Sequence, residues 1–112
     1  MGTEFSHIFM LVSDLEGQRR LFVDTLGLSV LAEHPGYLQI GGGEGFHIGM
    51  EEGDPGRPNA MEITIRVDDV NQMYERLVEA GVEVESPPKD QDWGARHVWF
   101  RDGDGRRMSI YS

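Results

Sequence analysis

The clearest alternation of hydrophobic and polar positions lies just past the middle of the chain. Residues 61–67 are apolar at every second position, which predicts a β-strand with one face in a core. Glu62 then falls on the opposite face. After an Asp68 or Asp69 cap, apolar residues at helical spacing predict an amphipathic helix that ends at Gly81. The apolar set of the strand is Met61, Ile63, Ile65 and Val67, and that of the helix is Val70, Met73, Tyr74, Leu77 and Val78.

The same order of patterns occurs at the N-terminus. Residues 5–12 predict a first strand, in which His7 occupies the place that Glu62 occupies in the later one. The two residues are 55 positions apart, and so are Asp14 and Asp69, Leu15 and Val70, and Phe22 and Leu77. A repeat that includes a strand, a cap and a helix predicts that the chain contains two copies of one structural unit.

The first helix has its own start and stop signals. Ser13 and Glu16 form a capping box, which predicts a helix that runs from there to about Leu26. Gly27 follows as a residue that can end it, as Gly81 does in the second half. The residues predicted on its apolar face are Leu15, Phe22, Val23 and Leu26.

Three further strands follow the helix in each half. They are predicted at 28–32, 37–40 and 46–50, and again at 82–85, 95–101 and 106–111, with a glycine-rich hairpin turn at 41–45. The sequence therefore predicts an α+β fold of two tandem βαβββ modules within a single domain. The modules span about 4–52 and 60–112, and a linker of about 53–59 joins them. Since one helix covers only one face of a sheet, we expect the two modules to form a curved cup with the helices outside.

Alternation predicts which side chains line the cup. His7 and Glu62 are among them, at matching points of the two halves, and both are side chains that can bind a metal ion. The alternative is that these polar side chains bond to one another or to water. The aromatic residues predicted to line the cup are Phe5, Phe9, Trp99 and Tyr111.

The composition limits which classes of partner we expect for this chain. The formal net charge is −10, which argues against nucleic acid and favours cationic ligands. No apolar run is long enough for a membrane span, and there is no secretory signal pattern. Cysteine is absent, so disulfide and thiol chemistry are excluded, and we expect a cytoplasmic location.

The chain resembles the vicinal oxygen chelate superfamily, which includes glyoxalase I, extradiol dioxygenases and bleomycin-resistance proteins. The segments that carry the resemblance are His7 with Val12-Ser-Asp-Leu15, Leu26-Gly-Leu28, Ile65-Arg-Val-Asp-Asp-Val70, Ala80-Gly-Val82, Trp93-Gly94 and Phe100-Arg-Asp-Gly-Asp-Gly105. The resemblance implies a homodimer in which His7 and His47 of one chain meet Glu62 and Ser109 of the other. Those four are the positions of the family's metal ligands, and the resemblance thus implies that His7, His47 and Glu62 hold one divalent ion of Mn, Fe, Ni, Co or Zn. Because Ser109 is a poor ligand and glyoxalase I has histidine in place of Glu62, glyoxalase I itself is not expected.

Two functions stay open at this point. Trp93, in a polar loop before Gly94, favours a binding protein of the bleomycin-resistance type that sequesters a bulky cationic or aromatic ligand. Ser109 would join the aromatic residues in contacting this ligand. The alternative is a divalent-metal enzyme, such as a lyase, isomerase, epimerase or dioxygenase, that acts on vicinal oxygens. No residue stands out as a separate catalytic base.

Overall fold

The computed structural model describes residues 2–42 and 45–112. Residues 43 and 44, at the centre of the predicted glycine-rich turn, lie outside the described residues. The strands are β1 (Thr3–Val12), β2 (Ser29–His34), β3 (Tyr37–Gly41), β4 (His47–Glu52), β5 (Met61–Val67), β6 (Glu83–Val84), β7 (Lys89–Asp90), β8 (Arg96–Arg101) and β9 (Arg107–Tyr111). The helices are α1 (Leu15–Arg19), continued by a π-helical segment (Arg20–Thr25), and α2 (Val70–Glu79). The predicted α+β class is confirmed.

The chain forms two compact units. The N-terminal unit is Ser6–Met61, and the C-terminal unit is Glu62–Ser112 together with the residues up to Phe5. In the first, the strands lie in the order β2-β3-β4-β1, and in the second in the order β6-β8-β9-β5. β1 with β4 and β5 with β9 are parallel pairs, whereas β3 with β4 and β8 with β9 are antiparallel. This repeated order confirms the tandem βαβββ modules, to which the second adds the two-residue strand β7, paired with β8.

In the N-terminal unit, the apolar side chains of three strands pack against the helical segment. The buried residues are Val12, Leu38, Ile40 and Met50, and Met10, Leu15, Phe22, Val23, Leu28 and Ile48 pack around them. Successive side chains of a strand point to opposite faces. Residues of the other parity on β1 and β4, including His7 and His47, therefore lie on the face without the helix.

The first helix departs from its prediction in two ways. Asp14, not Ser13, caps it, since the Asp14 side chain accepts the backbone N–H of Gly17. The expected continuous α-helix also widens into a π-helical segment, in which the Leu26 N–H bonds to the Leu21 carbonyl. This widening adds residues to the turn and rotates the later side chains. Leu26, predicted on the buried face, caps the end of this segment and is 58% exposed.

The C-terminal unit follows the sequence pattern more closely. Asp69 caps α2 by accepting the N–H groups of Asn71 and Gln72. At its end, Gly81 adopts a φ of 79°, and the Val82 N–H bonds back to the Leu77 carbonyl, a Schellman motif. The core contains Val67, Val70, Val98 and Ile110, surrounded by Ile65, Met73, Tyr74, Leu77, Val84 and Phe100. Met61 and Val78, predicted to be buried, are exposed because each lies at the end of its element.

The module boundaries given above stay a prediction, because the two compact units do not by themselves define folding domains. Within the part of the chain that the structure describes, no helix combines the length and apolar character needed to cross a bilayer.

Candidate functional site

The helix-free face of the N-terminal unit carries two adjacent imidazoles. His7 and His47 lie directly opposite each other in the parallel pair of β1 and β4. Their rings stack with centroids 4.6 Å apart and planes 14° apart. Ser6 Oγ lies 3.0 Å from Nδ1 of His7, at hydrogen-bond distance. Burial lowers the pKa of His47, so this imidazole is neutral at pH 7, the form that binds metals.

Stacking limits what this pair can do for a metal ion. An ion lies in the plane of each imidazole that coordinates it, along the lone pair of the ring nitrogen. Nearly parallel rings of His7 and His47 therefore have to turn before both can bind one ion. Among the described residues, no three His, Asp or Glu side chains are grouped as a metal site.

Phe9 and Tyr37 complete this face. Phe9 is half-buried and lies opposite Gly49 in the β1–β4 pair. The Tyr37 hydroxyl covers Gly49 so closely that an added Cβ would lie 2.8 Å from it. Burial, together with the charge of Glu51, raises the pKa of Tyr37. Sequence reasoning did not single out Tyr37, although the alternation of β3 places it on this face.

In the C-terminal unit, Glu62 lies within a network of charged and aromatic side chains. One carboxylate oxygen accepts the indole N–H of Trp99 at 3.0 Å, and the other accepts a guanidinium N–H of Arg107 at 3.3 Å. Arg107 also donates two hydrogen bonds to Glu85, at 2.8 and 2.9 Å. These bonds raise the pKa of Arg107 and lower that of Glu85. The guanidinium lies over the Trp99 ring, 5.1 Å from its centroid.

A stack of aromatic rings continues from Trp99. His97 stacks on Trp99 with centroids 4.8 Å apart and on Tyr111 at 5.2 Å. Trp93 meets the His97 ring edge to face at 5.6 Å and is itself 65% exposed. The predicted ligand contacts Trp93, Trp99 and Tyr111 are thus brought together, around a histidine that the sequence analysis missed.

His97 has an unusual environment for an imidazole. It is 7% exposed, and its Nδ1 is buried without a hydrogen-bond partner. Burial lowers its pKa to about 4, so the ring is neutral at pH 7. Alternation could have identified His97, because it lies two residues before Trp99 on the same strand and therefore on the same face.

The remaining predicted site residues are placed differently. Ser109 is fully buried, and its hydroxyl donates to Thr64 Oγ1 at 3.1 Å. Phe5 is 68% exposed and belongs to the C-terminal unit, unlike Phe9. As arranged, the donors of neither unit fit a metal ion, since the imidazoles are stacked and Glu62 is bonded to Arg107 and Trp99.

These observations define a class of α+β protein built from two βαβββ units, each with a polar and aromatic face opposite its helix. A family model confirms the resemblance noted in the sequence. The chain belongs to the Glyoxalase/Bleomycin resistance protein/Dioxygenase superfamily, whose model matches residues 4–110.

The individual proteins that this chain resembles match it over part of its length or at low sequence identity. Protein YraH of Bacillus subtilis is 40% identical over 50 residues, a match that covers 44% of this chain and only 39% of that protein. A superfamily member from Vibrio splendidus has a similar structure, with a TM-score of 0.78 and 17% identity over 97% of each chain. The Mn(II)-bound glyoxalase of Novosphingobium aromaticivorans matches with a TM-score of 0.76 and 21% identity, over 99% of this chain and 39% of that one. Identities this low show a shared fold alone.

Proposed function

We propose that this chain is a small-molecule-binding member of the superfamily that sequesters a bulky, flat aromatic ligand without transforming it. The observation that carries the proposal is the ring stack of Trp99, His97 and Tyr111, with exposed Trp93 at its edge. Aromatic rings of this kind offer both stacking area and a preference for planar groups.

The charge of the chain supports a cationic ligand. A net charge of −10 raises the local concentration of cations and their association rate. Aromatic faces also attract cations directly. Arg107, the cation that lies over the Trp99 ring, is itself paired with Glu62 and Glu85, which offsets its positive charge.

A matched pair of probes tests the proposal. Acridine at pH 8 and N-methylacridinium have nearly the same shape but differ in charge, and titration calorimetry gives their affinities. We expect both to bind, the cation more tightly, and to be recovered unchanged after EDTA treatment. Trp93→Ala should weaken binding by about 3- to 10-fold, the equivalent of about 0.5–1.5 kcal/mol.

The control is Leu26→Ala, which removes another exposed apolar side chain, but from the N-terminal unit. It should leave the affinity of either probe unchanged. Absence of binding at millimolar probe, or equal effects of the two substitutions, would contradict the proposed ligand site.

We further propose a homodimer, with the ligand cup completed by the second chain, in a cytoplasmic protein. Support comes from the family membership and, for the location, from the absence of cysteine. Sedimentation velocity over a concentration series measures the state directly. A monomer at all concentrations, with ligand binding retained, would remove the dimer from the proposal and leave the binding site in place.

The second candidate is a divalent-metal enzyme of the lyase, isomerase, epimerase or dioxygenase type. The observation that favours it is the direct pairing of His7 and His47 across β1 and β4. The Mn(II)-bound glyoxalase of similar fold is consistent with it. Elemental analysis of protein purified without added metal or chelator separates the candidates. Stoichiometric metal that is lost in His7→Ala would favour the enzyme.

A further inference from the structure

The carboxylate of Glu62 already has a cationic partner within its own unit. Its side chain is 11% exposed, and each of its oxygens accepts one hydrogen bond, from Trp99 and from Arg107. A buried carboxylate needs such partners, because an unpaired charge away from water is costly. The position that the family resemblance assigns to a metal ligand is thus neutralised by a protein side chain.

Arg107 is firmly held in this place. Two N–H groups on one side of the guanidinium bond Glu85 in a bidentate pair, a third bonds Glu62, and the plane lies over Trp99. Bidentate arginine–carboxylate pairs are among the strongest and most directional hydrogen-bonded contacts in proteins. A metal ion at Glu62 would have to displace this guanidinium or accept it as a like-charged neighbour.

The charges around Glu62 are balanced without a metal. Glu62 and Glu85 are matched by Arg107 and by Arg101, which lies 3.5 Å from Glu85. A divalent ion would add two positive charges to a group that is already neutral. Ser109 is the second position in this unit that the resemblance assigns to a metal ligand. Its hydroxyl already donates a hydrogen bond to Thr64 inside the unit.

We propose that the Arg107 guanidinium serves as the resident cation at Glu62, in place of a divalent metal ion. Glu62 is then a positioning residue. It orients the Trp99 indole through the Nε1 hydrogen bond and holds Arg107 over the ring, so the aromatic stack is ordered without metal. This inference stands on the contacts of Glu62 and does not depend on which ligand the protein takes.

The test is the affinity for Mn²⁺ alone, measured by calorimetry and by the electron paramagnetic resonance signal of free Mn²⁺. Arg107→Gln removes the charge but keeps a hydrogen-bonding side chain, and we expect it to bind Mn²⁺ at least about 10-fold more tightly than the wild type. Arg107→Lys keeps the charge and should retain the weak affinity of the wild type. The comparison isolates the charge at this position.

Arg101→Gln is the matched control, because Arg101 pairs with Glu85, whereas the hydrogen bonds to Glu62 come from Trp99 and Arg107. It should change Mn²⁺ affinity much less than Arg107→Gln does. In the background of Arg107→Gln, Glu62→Gln should abolish the gain. Circular dichroism and urea unfolding of every variant establish that it is folded before its affinity is compared.

Two results would overturn the inference. One is a wild-type protein that binds one equivalent of Mn²⁺ and loses it in Glu62→Gln, since Glu62 would then be a ligand despite Arg107. The other is an Arg107→Gln variant that is folded but binds Mn²⁺ no better than the wild type. Acridinium binding is measured on the wild-type protein and independently of Mn²⁺ affinity, so this inference and the proposed ligand site can fail separately.

Discussion

Lowering the pH should destabilise this protein through protonation of the buried His97 imidazole. The ring is 7% exposed among aromatic neighbours, and burial lowers its pKa in the folded chain to about 4. In the unfolded chain the value returns to about 6.5. Between these two values the unfolded state binds the proton and the folded state does not, so acid favours unfolding.

The size of the effect follows from the difference between the two pKa values. Each unit corresponds to about 1.4 kcal/mol, so about 2.5 units amount to about 3 kcal/mol when the pH has fallen below 4. The stabilising contribution is complete above about pH 6.5 and is lost as the pH falls from there towards 4. At pH 5 the loss from His97 alone should be about 2 kcal/mol.

Urea unfolding at pH 7.5, 6.5, 5.5 and 5.0, followed by circular dichroism, measures this loss. His97→Phe keeps a flat ring in the stack but cannot be protonated, so its free energy of unfolding should fall less over the same range. Carboxylates titrate equally in both proteins, and the difference between the two curves therefore isolates His97. The control is His34→Phe, a substitution of an exposed histidine at the end of β2. Parallel curves for the wild type and His97→Phe would refute the reasoning.

Three further predictions concern the two cores and a helix cap, with urea unfolding at pH 7.5 as the measurement. Met50→Ala should lower the free energy of unfolding by about 2–5 kcal/mol because Met50 is fully buried, and exposed Met61→Ala should cost much less. Asp69→Ala removes the cap of α2 and should cost about 1 kcal/mol, whereas Asp68→Ala leaves that cap in place; equal costs would contradict the assignment. Ser109→Ala leaves the buried Thr64 hydroxyl without its donor and should cost about 1–3 kcal/mol, part of which Thr64→Val should restore; simple addition of the two costs would argue against the bond.

The sequence predicted best those elements whose signals are local. β5 has the bounds that alternation gave it, and α2 lies between the Asp69 cap and Gly81, both of which act through neighbouring backbone groups. The first helix also begins with a local cap, at Asp14. Its π-helical segment was not predictable, because the residues from Arg20 to Thr25 have ordinary helical spacing and the wider turn is a feature of the folded backbone.

Alternation predicted which residues share a face but not what they do there. Glu62, Trp99, Ser109 and Tyr111 were all placed on one face of the second module, and the strand register agrees. The partner of Glu62 was missed, since Arg107 is 45 residues away and meets it only through the parallel pairing of β5 with β9. His97 was missed for a related reason. Its burial depends on Trp99, Tyr111 and the Trp93 loop, which come together only in the folded unit.

The two units show how one strand order can support different chemistry at the same repeat position. His7 and Glu62 are 55 residues apart, and each lies on the helix-free face of its own unit. In the first unit the rings of His7 and His47 stack, and burial lowers the pKa of His47. A carboxylate at pH 7 cannot stay neutral as easily, and its burial calls for a cation. In the second unit Arg107 provides that cation, and the same guanidinium covers Trp99 and extends the ring stack. The glutamate at the repeat position of the second unit is therefore linked to Arg107, and through it to the aromatic side chains on which we propose that the ligand binds.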